Sequence, residues 1–163
     1  MYNLKSEKPV YYCINAGNAK ADTELNAFDR ALLNAGCGNY NLLRVSSILP
    51  AGANAKNKVT EPEGSLLPVA YASIIAGPNE KIGDTLSAAV AIGIPDNGTN
   101  VGVIMEFEDF CSEEEARKTV ISMAETAMSD RLVSDYKVIC SSTSCVSEEG
   151  KYNCSFAYVA IFD

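Results

Sequence analysis

Residues 26–50 read NAFDRALLNAGCGNYNLLRVSSILP, and their apolar period changes once, at a glycine. Upstream of that glycine, Leu25, Phe28 and Leu32 recur at helical spacing, and Ala31 and Ala35 widen the stripe. Thr23 is a capping residue and Gly36 a stop, so a helix is expected over about 24–35 with Glu24, Asp29 and Arg30 off its core face. From Asn39 to Leu49 the pattern becomes extended and ends at Pro50. A pair of serines, Ser46 and Ser47, therefore sits near the end of an apolar strand, hard against a turn.

The same two patterns continue on either side. Pro9 to Ala16 reads as a strand, followed by a glycine and polar turn over residues 17–22. The segment AGANAKNKVTEPEG after Pro50 is polar and rich in turn residues, as a loop requires. LLPVAYASIIAG and TLSAAVAIGIP read as two strands paired across the turn GPNEKIGD, Gly93 and Pro95 arguing against a helix in the second. VGVIMEFEDF is another strand. Ser112 and Glu115 then form a capping box that opens a helix to about Leu132, with Ala116, Val120, Met123, Ala124, Ala127 and Met128 on its buried side. DYKVICSSTSCV and KYNCSFAYVAIF flank SEEGK and read as a closing hairpin. Two helices with six or seven mostly antiparallel strands make an α+β domain.

With 163 residues and 47% hydrophobic content the chain suits one domain, residues 1–163, with its own core. A net charge of −8 argues against nucleic acid or an anionic membrane as partner and suits a cationic small molecule. No apolar run is long enough to span a membrane, and MYNLKSEKPVYY lacks the features of a secretory signal, so a cytoplasmic location is expected. Six cysteines, none at a two-residue spacing, read as reduced and mostly buried thiols. The chain contains no histidine. Ser-His and Cys-His nucleophiles and histidine metal sites are thereby removed, leaving carboxylates, hydroxyls, amides or a cofactor to do any chemistry.

A Ser-Ser dipeptide at a strand end is by itself unremarkable, since such hydroxyls commonly bond nearby backbone. Its surroundings are more specific. Asn41, Leu42, Leu43, Arg44, Val45, Ser46, Ser47, Ile48, Leu49 and Pro50, with Asn26-Ala-Phe-Asp29 and Leu32-Leu33-Asn34-Ala-Gly36 upstream and Gly64, Leu66, Pro68, Ala70-Tyr71, Ile94-Pro95 and Met105-Glu106 downstream, resemble the pyruvoyl-dependent arginine decarboxylase family over nearly the full length. The resemblance implies a four-layer αββα sandwich with mostly antiparallel sheets, assembled as homotrimers with active sites between subunits, and hexamers where trimers pair.

The resemblance also implies a chemistry. The Ser47 hydroxyl attacks the Ser46 carbonyl, the peptide becomes an ester, and elimination frees residues 1–46; the dehydroalanine left at 47 takes up water and loses ammonia, giving a covalent pyruvoyl group in a chain of 47–163. Asn41 matches the amide that supports cleavage, Glu106 the acid that returns a proton after carbon dioxide leaves, and Asp29 the carboxylate that holds the substrate guanidinium. Leu32 and Ile48 match pocket walls. Glu106 stands among Ile104, Met105 and Phe107, whose desolvation raises a carboxyl pKa, whereas Glu108 on the same strand parity reads as a solvent-facing carboxylate. The implied reaction turns L-arginine into agmatine, a polyamine precursor, without pyridoxal phosphate or a metal.

Two alternatives stay open on the residues alone. One is a pyruvoyl enzyme for another amino acid such as histidine, and the other is an unprocessed, non-catalytic trimeric assembly protein. PAGANAKNKVTEPEG departs from the Pro-rich loop associated with archaeal members of the family, and Arg30 follows Asp29 where a small residue is common. Arg30 is placed to neutralise Asp29 or to crowd a cationic substrate.

Overall fold

The structure, a computed structural model, describes residues 10–163. Pro9, where the first strand was expected to begin, and most of MYNLKSEKPVYY lie outside the described residues. Strand β1 (Tyr11–Ala21) is followed by helix α1 (Glu24–Ala35), then β2 (Asn41–Arg44), β3 (Ile48–Leu49), β4 (Asn54–Ala55), β5 (Leu66–Ala76), β6 (Thr85–Pro95), β7 (Gly102–Asp109), helix α2 (Glu113–Asp130), β8 (Tyr136–Val146) and β9 (Tyr152–Phe162). β1 runs five residues past the expected end because its partner β9 is equally long and pairs with it from Tyr11↔Phe162 to Ala21↔Tyr152.

The strands form two sheets, β2-β5-β9-β1-β4 and β3-β7-β6-β8. Pairing is antiparallel except that β2 lies parallel to β5 and β4 parallel to β1. Neither expected hairpin forms. Both edges of β9 are taken by β1 and β5, and both edges of β6 by β7 and β8, so β8 cannot pair with β9 nor β5 with β6. In each case the connecting turn carries the chain from one sheet to the other.

Alternation along each strand then builds three apolar layers. Tyr12, Ala70, Ala72, Val90, Ile104 and Val159 fill the gap between the sheets. Cys13, Val69, Phe156 and Tyr158 point the other way and pack under Ala27, Ala31, Leu32 and Ala35 of α1. Ala89 and Ala91 meet Ala116, Val120 and Ala124 of α2. The order across the molecule is helix, sheet, sheet, helix.

Both helices begin as expected. Asn26 N–H donates to the Thr23 hydroxyl at 3.2 Å, and Glu115 N–H to the Ser112 hydroxyl at 3.1 Å. α1 ends at Gly36 in the left-handed region, φ 88°, which glycine adopts without a Cβ penalty. Leu25, expected in the core stripe, is 76% exposed, and Ala27 takes its place against the sheet. α2 stops at Asp130, two residues early, and Met123 is only half-buried. All six cysteines are free, with Cys13, Cys37 and Cys154 buried and the others partly so. Among the described residues no helix is long and apolar enough to cross a membrane.

Candidate active site

The expected strand over 39–49 is two short strands on different sheets, and the serine pair is the link between them. Val45 N–H makes the last bond to the first sheet, at 2.9 Å from the Val69 carbonyl. Ile48 then pairs with Val103 on the second sheet. Between these anchors the Ser46 carbonyl accepts from Ile48 N–H at 3.1 Å, and the Ser47 carbonyl accepts from Ile104 N–H at 2.8 Å. Ser46 is exposed and Ser47 half-buried. Neither serine has a positive φ, so the segment is fixed by hydrogen bonds at both ends rather than by a left-handed backbone.

Ile104 and Glu106 share strand parity, and Ile104 is buried between the sheets. Glu106 therefore points into the open edge of the same gap, opposite Val90 in the ladder. Only 19% of its side chain is exposed, and its Oε2 lies 3.3 Å from Nη2 of Arg44. Burial pushes the Glu106 carboxyl above its ordinary range, and the neighbouring Arg44 opposes that rise. Glu108 is raised as well, by desolvation first, with Arg44 lowering it and Glu106 raising it further. The direction at Glu106 is the one its apolar neighbours imply, and Glu108 is exposed, as expected of a solvent-facing carboxylate. It lines a cleft of about 510 Å³ together with Glu24, Phe28, Arg44 and Tyr71.

Arg44 links the two sheets at this edge. Its guanidinium carbon stands 4.4 Å from the centre of the Tyr71 ring, and Nη2 also donates to the Tyr71 carbonyl at 3.0 Å. The role of Arg44 as the partner of Glu106 was not read from the sequence, although one signal was present: a cation between apolar Leu43 and Val45, two residues before the serine pair.

The other expected residues do not converge within one chain. Asn41 opens β2, and its side-chain N–H donates to the Gly64 carbonyl at 2.8 Å. Four residues lie between it and Ser46, a span of at most about 16 Å at the usual strand rise. Asp29 is exposed on α1. Leu32 is buried against the first sheet, and Ile48 is 38% exposed beside the serine pair. Arg30 donates to the Lys20 carbonyl at 3.1 Å, which turns its guanidinium toward the end of β1.

This geometry coincides with a family assignment. A profile of the family described as pyruvoyl-dependent arginine decarboxylase matches residues 11–163. The chain belongs to that family. A relative named pyruvoyl-dependent arginine decarboxylase from Methanocaldococcus jannaschii is 48% identical over 110 residues, covering 68% of this chain and 65% of its own. Relatives of the same name from Methanococcus vannielii and Methanococcus aeolicus are 39% and 37% identical over 159 and 147 residues, covering 96% and 90% of this chain and 92% and 86% of their own.

The residues at the link fit the group for which the family is named. A hydroxyl at 47 and an accessible carbonyl at 46 supply the nucleophile and the electrophile for a break at that bond. The Ser47 carbonyl remains an amide to Ile48 after such a break, so the Ile104 N–H can continue to hold it. A half-buried carboxyl stands two positions further along the same strand.

Proposed function

We propose that the chain cuts itself between Ser46 and Ser47, carries a pyruvoyl group at residue 47, and converts L-arginine to agmatine and carbon dioxide. The bond from Ile104 N–H to the Ser47 carbonyl carries this reading, because it sets the scissile peptide beside the strand that bears Glu106. In the cleavage step the Ser47 hydroxyl adds to the Ser46 carbonyl, and the Ile48 N–H at 3.1 Å from that oxygen is a donor for the developing charge. When formed, the pyruvoyl carbonyl supplies an electron sink for loss of carbon dioxide from an α-amino acid, the part pyridoxal phosphate plays elsewhere. No metal and no pyridoxal phosphate are required.

Glu106 delivers the proton. Its desolvated carboxyl holds a proton at a higher pH than a surface glutamate does, which suits a general acid. Asp29 holds the guanidinium of the substrate, with Leu32 and Ile48 as walls. With Asp29 exposed on α1 and the Asn41 amide bonded to the Gly64 carbonyl, we place the complete site between subunits of a homotrimer. Exposed Leu43 and Ile48 lie on the edge strands β2 and β3, and exposed Leu66 lies beside β2 on β5, apolar surface that such an assembly would cover. The single domain, residues 1–163, then works in the cytoplasm as two chains, 1–46 and 47–163.

Mass spectrometry of purified protein held at neutral pH tests the cut. Fragments ending at Ser46 and beginning at a blocked residue 47 are expected. A chain that stays whole through prolonged incubation would sink the reading and favour the assembly protein. Cleaved protein that decarboxylates histidine or another amino acid in preference to arginine would keep the cofactor and overturn the substrate.

A further inference from the structure

In the uncut chain Arg44 does two things at once: it stacks over Tyr71, and it pairs with Glu106, the proposed proton donor. It also precedes the proposed break by two residues. The charged groups around Glu106 are few. Arg44 approaches from β2, Glu108 shares the β7 face, and Glu24 of α1 lines the adjoining cleft; β5 contributes the Tyr71 ring and β6 contributes Val90. One cation thus pairs with Glu106 in a cleft that Glu108 and Glu24 also line.

Breaking the chain adds a fourth carboxylate. The elimination removes a proton from Cα of residue 47 and breaks its Cβ–O bond, and the bonding pair leaves with the ester oxygen as the α-carboxylate of Ser46. Arg44 and Ser46 are two residues apart, at most about 7 Å along the chain at the usual rise, within reach of an arginine side chain. Once the bond to residue 47 is gone, nothing covalent holds that carboxylate away from Arg44, and Ser46 is already exposed.

We propose that Arg44 is a positioning residue that pairs with Glu106 in the uncut chain and transfers its ion pair to the new Ser46 carboxylate after cleavage, leaving Glu106 freer to hold the proton it donates. The proposal rests on the self-cleavage reading above. It gives the cut a second consequence: the event that makes the electrophile also arms the acid. An opposite charge within about 4–6 Å lowers a carboxyl pKa by roughly one to three units, so losing Arg44 should strengthen proton binding at Glu106 about tenfold or more.

The test is a titration of Glu106 by NMR in protein carrying 13C-labelled glutamate, its signal identified by its loss in Glu106→Gln. Four proteins are compared: processed wild type and uncut Ser47→Ala, each with and without Arg44→Gln. Glu106 should bind its proton at least about tenfold more tightly in processed protein than in Ser47→Ala. Arg44→Gln should raise the midpoint in the uncut form and leave it within about 0.3 pH units in the processed form. Arg44→Lys in the Ser47→Ala background should keep the Ser47→Ala midpoint, which retains the comparison if the glutamine variant does not fold. Equal midpoints in the cut and uncut forms, or equal shifts from Arg44→Gln in both, would overturn the transfer while leaving the decarboxylase reading intact. A wild-type chain that never cuts would overturn both.

Discussion

Replacing Gly17 by alanine should disturb α1 without touching the serine pair. Gly17 faces the helix from β1, and a Cβ there would stand 2.5 Å from the backbone nitrogen of Ala35, 2.8 Å from the Ala31 carbonyl oxygen and 2.9 Å from the Asn34 carbonyl carbon. All three are backbone atoms, so no side-chain rotation relieves them. Comfortable separation is near 3.5 Å, so the helix must retreat by about 1 Å along its last two turns. Overpacking of this kind costs about 1–3 kcal/mol. For a chain of this size each kcal/mol moves Tm by about 2–4 °C, giving an expected drop of about 2–12 °C by differential scanning calorimetry. The displaced helix carries Asp29, whereas Ser46 and Ser47 are fixed by bonds to Val69 and Ile104 on the sheets. Cleavage should therefore proceed as in wild type while KM for arginine rises. A variant that melts within 1 °C of wild type and has an unchanged KM would show that α1 is not held by this close approach, and that its position does not set substrate binding.

The remaining predictions address the chemistry. Ser47→Ala should remain one chain on a denaturing gel, since a methyl group has no oxygen with which to attack the Ser46 carbonyl. Glu106→Gln should cut normally but lose roughly 10²-fold or more in agmatine formation, the usual scale of a general acid, and turnover at the wild-type rate would mean another group delivers the proton. Asp29→Asn should also cut, yet lose more than about tenfold in arginine turnover as the charged half of its guanidinium contact disappears. Stability should depend on pH with a definite sign. Because burial raises Glu106 in the folded chain, this group binds its proton more tightly folded than unfolded, so its contribution to stability is fully present below the ordinary glutamate range of about 4.3 and is lost as pH rises through the higher folded value. Denaturant titration of Ser47→Ala at a series of pH values should show this fall, and adding Glu106→Gln should flatten it.

Local signals in the sequence were reliable wherever a single element decided the outcome. Thr23, Gly36 and Ser112 mark helix ends because capping is a contact between residues three or four apart, and Gly93 and Pro95 do sit in a strand. Pairing was not legible in the same way. β5–β6 and β8–β9 each look like hairpins because two apolar strands flank a polar turn, yet a turn fixes only that the chain reverses, not whether it returns in its own sheet. What excludes the hairpins is the occupation of both edges of β6 and β9 by strands far away in sequence. Leu25 fails for a related reason: helical spacing placed it on the apolar stripe, but β1 and β9 lie under the C-terminal turns of α1, leaving the first turn over an open cleft.

The site divides along the same line. Ser46, Ser47 and Glu106 were legible through a resemblance carried by several separated motifs, and the raised carboxyl at Glu106 was foreseeable from its apolar neighbours. The pairing with Arg44 was not, because it joins β2 to β7 across two sheets and 62 positions of sequence. That separation has a physical consequence. Glu106 stands in the middle of β7, so its own strand is unchanged when the peptide parts at 46. Arg44, two residues from the break and still paired to β5, instead lies next to a new chain end. A rise in proton affinity at Glu106 on maturation that Arg44→Gln abolishes is therefore the mark of a change routed through the arginine.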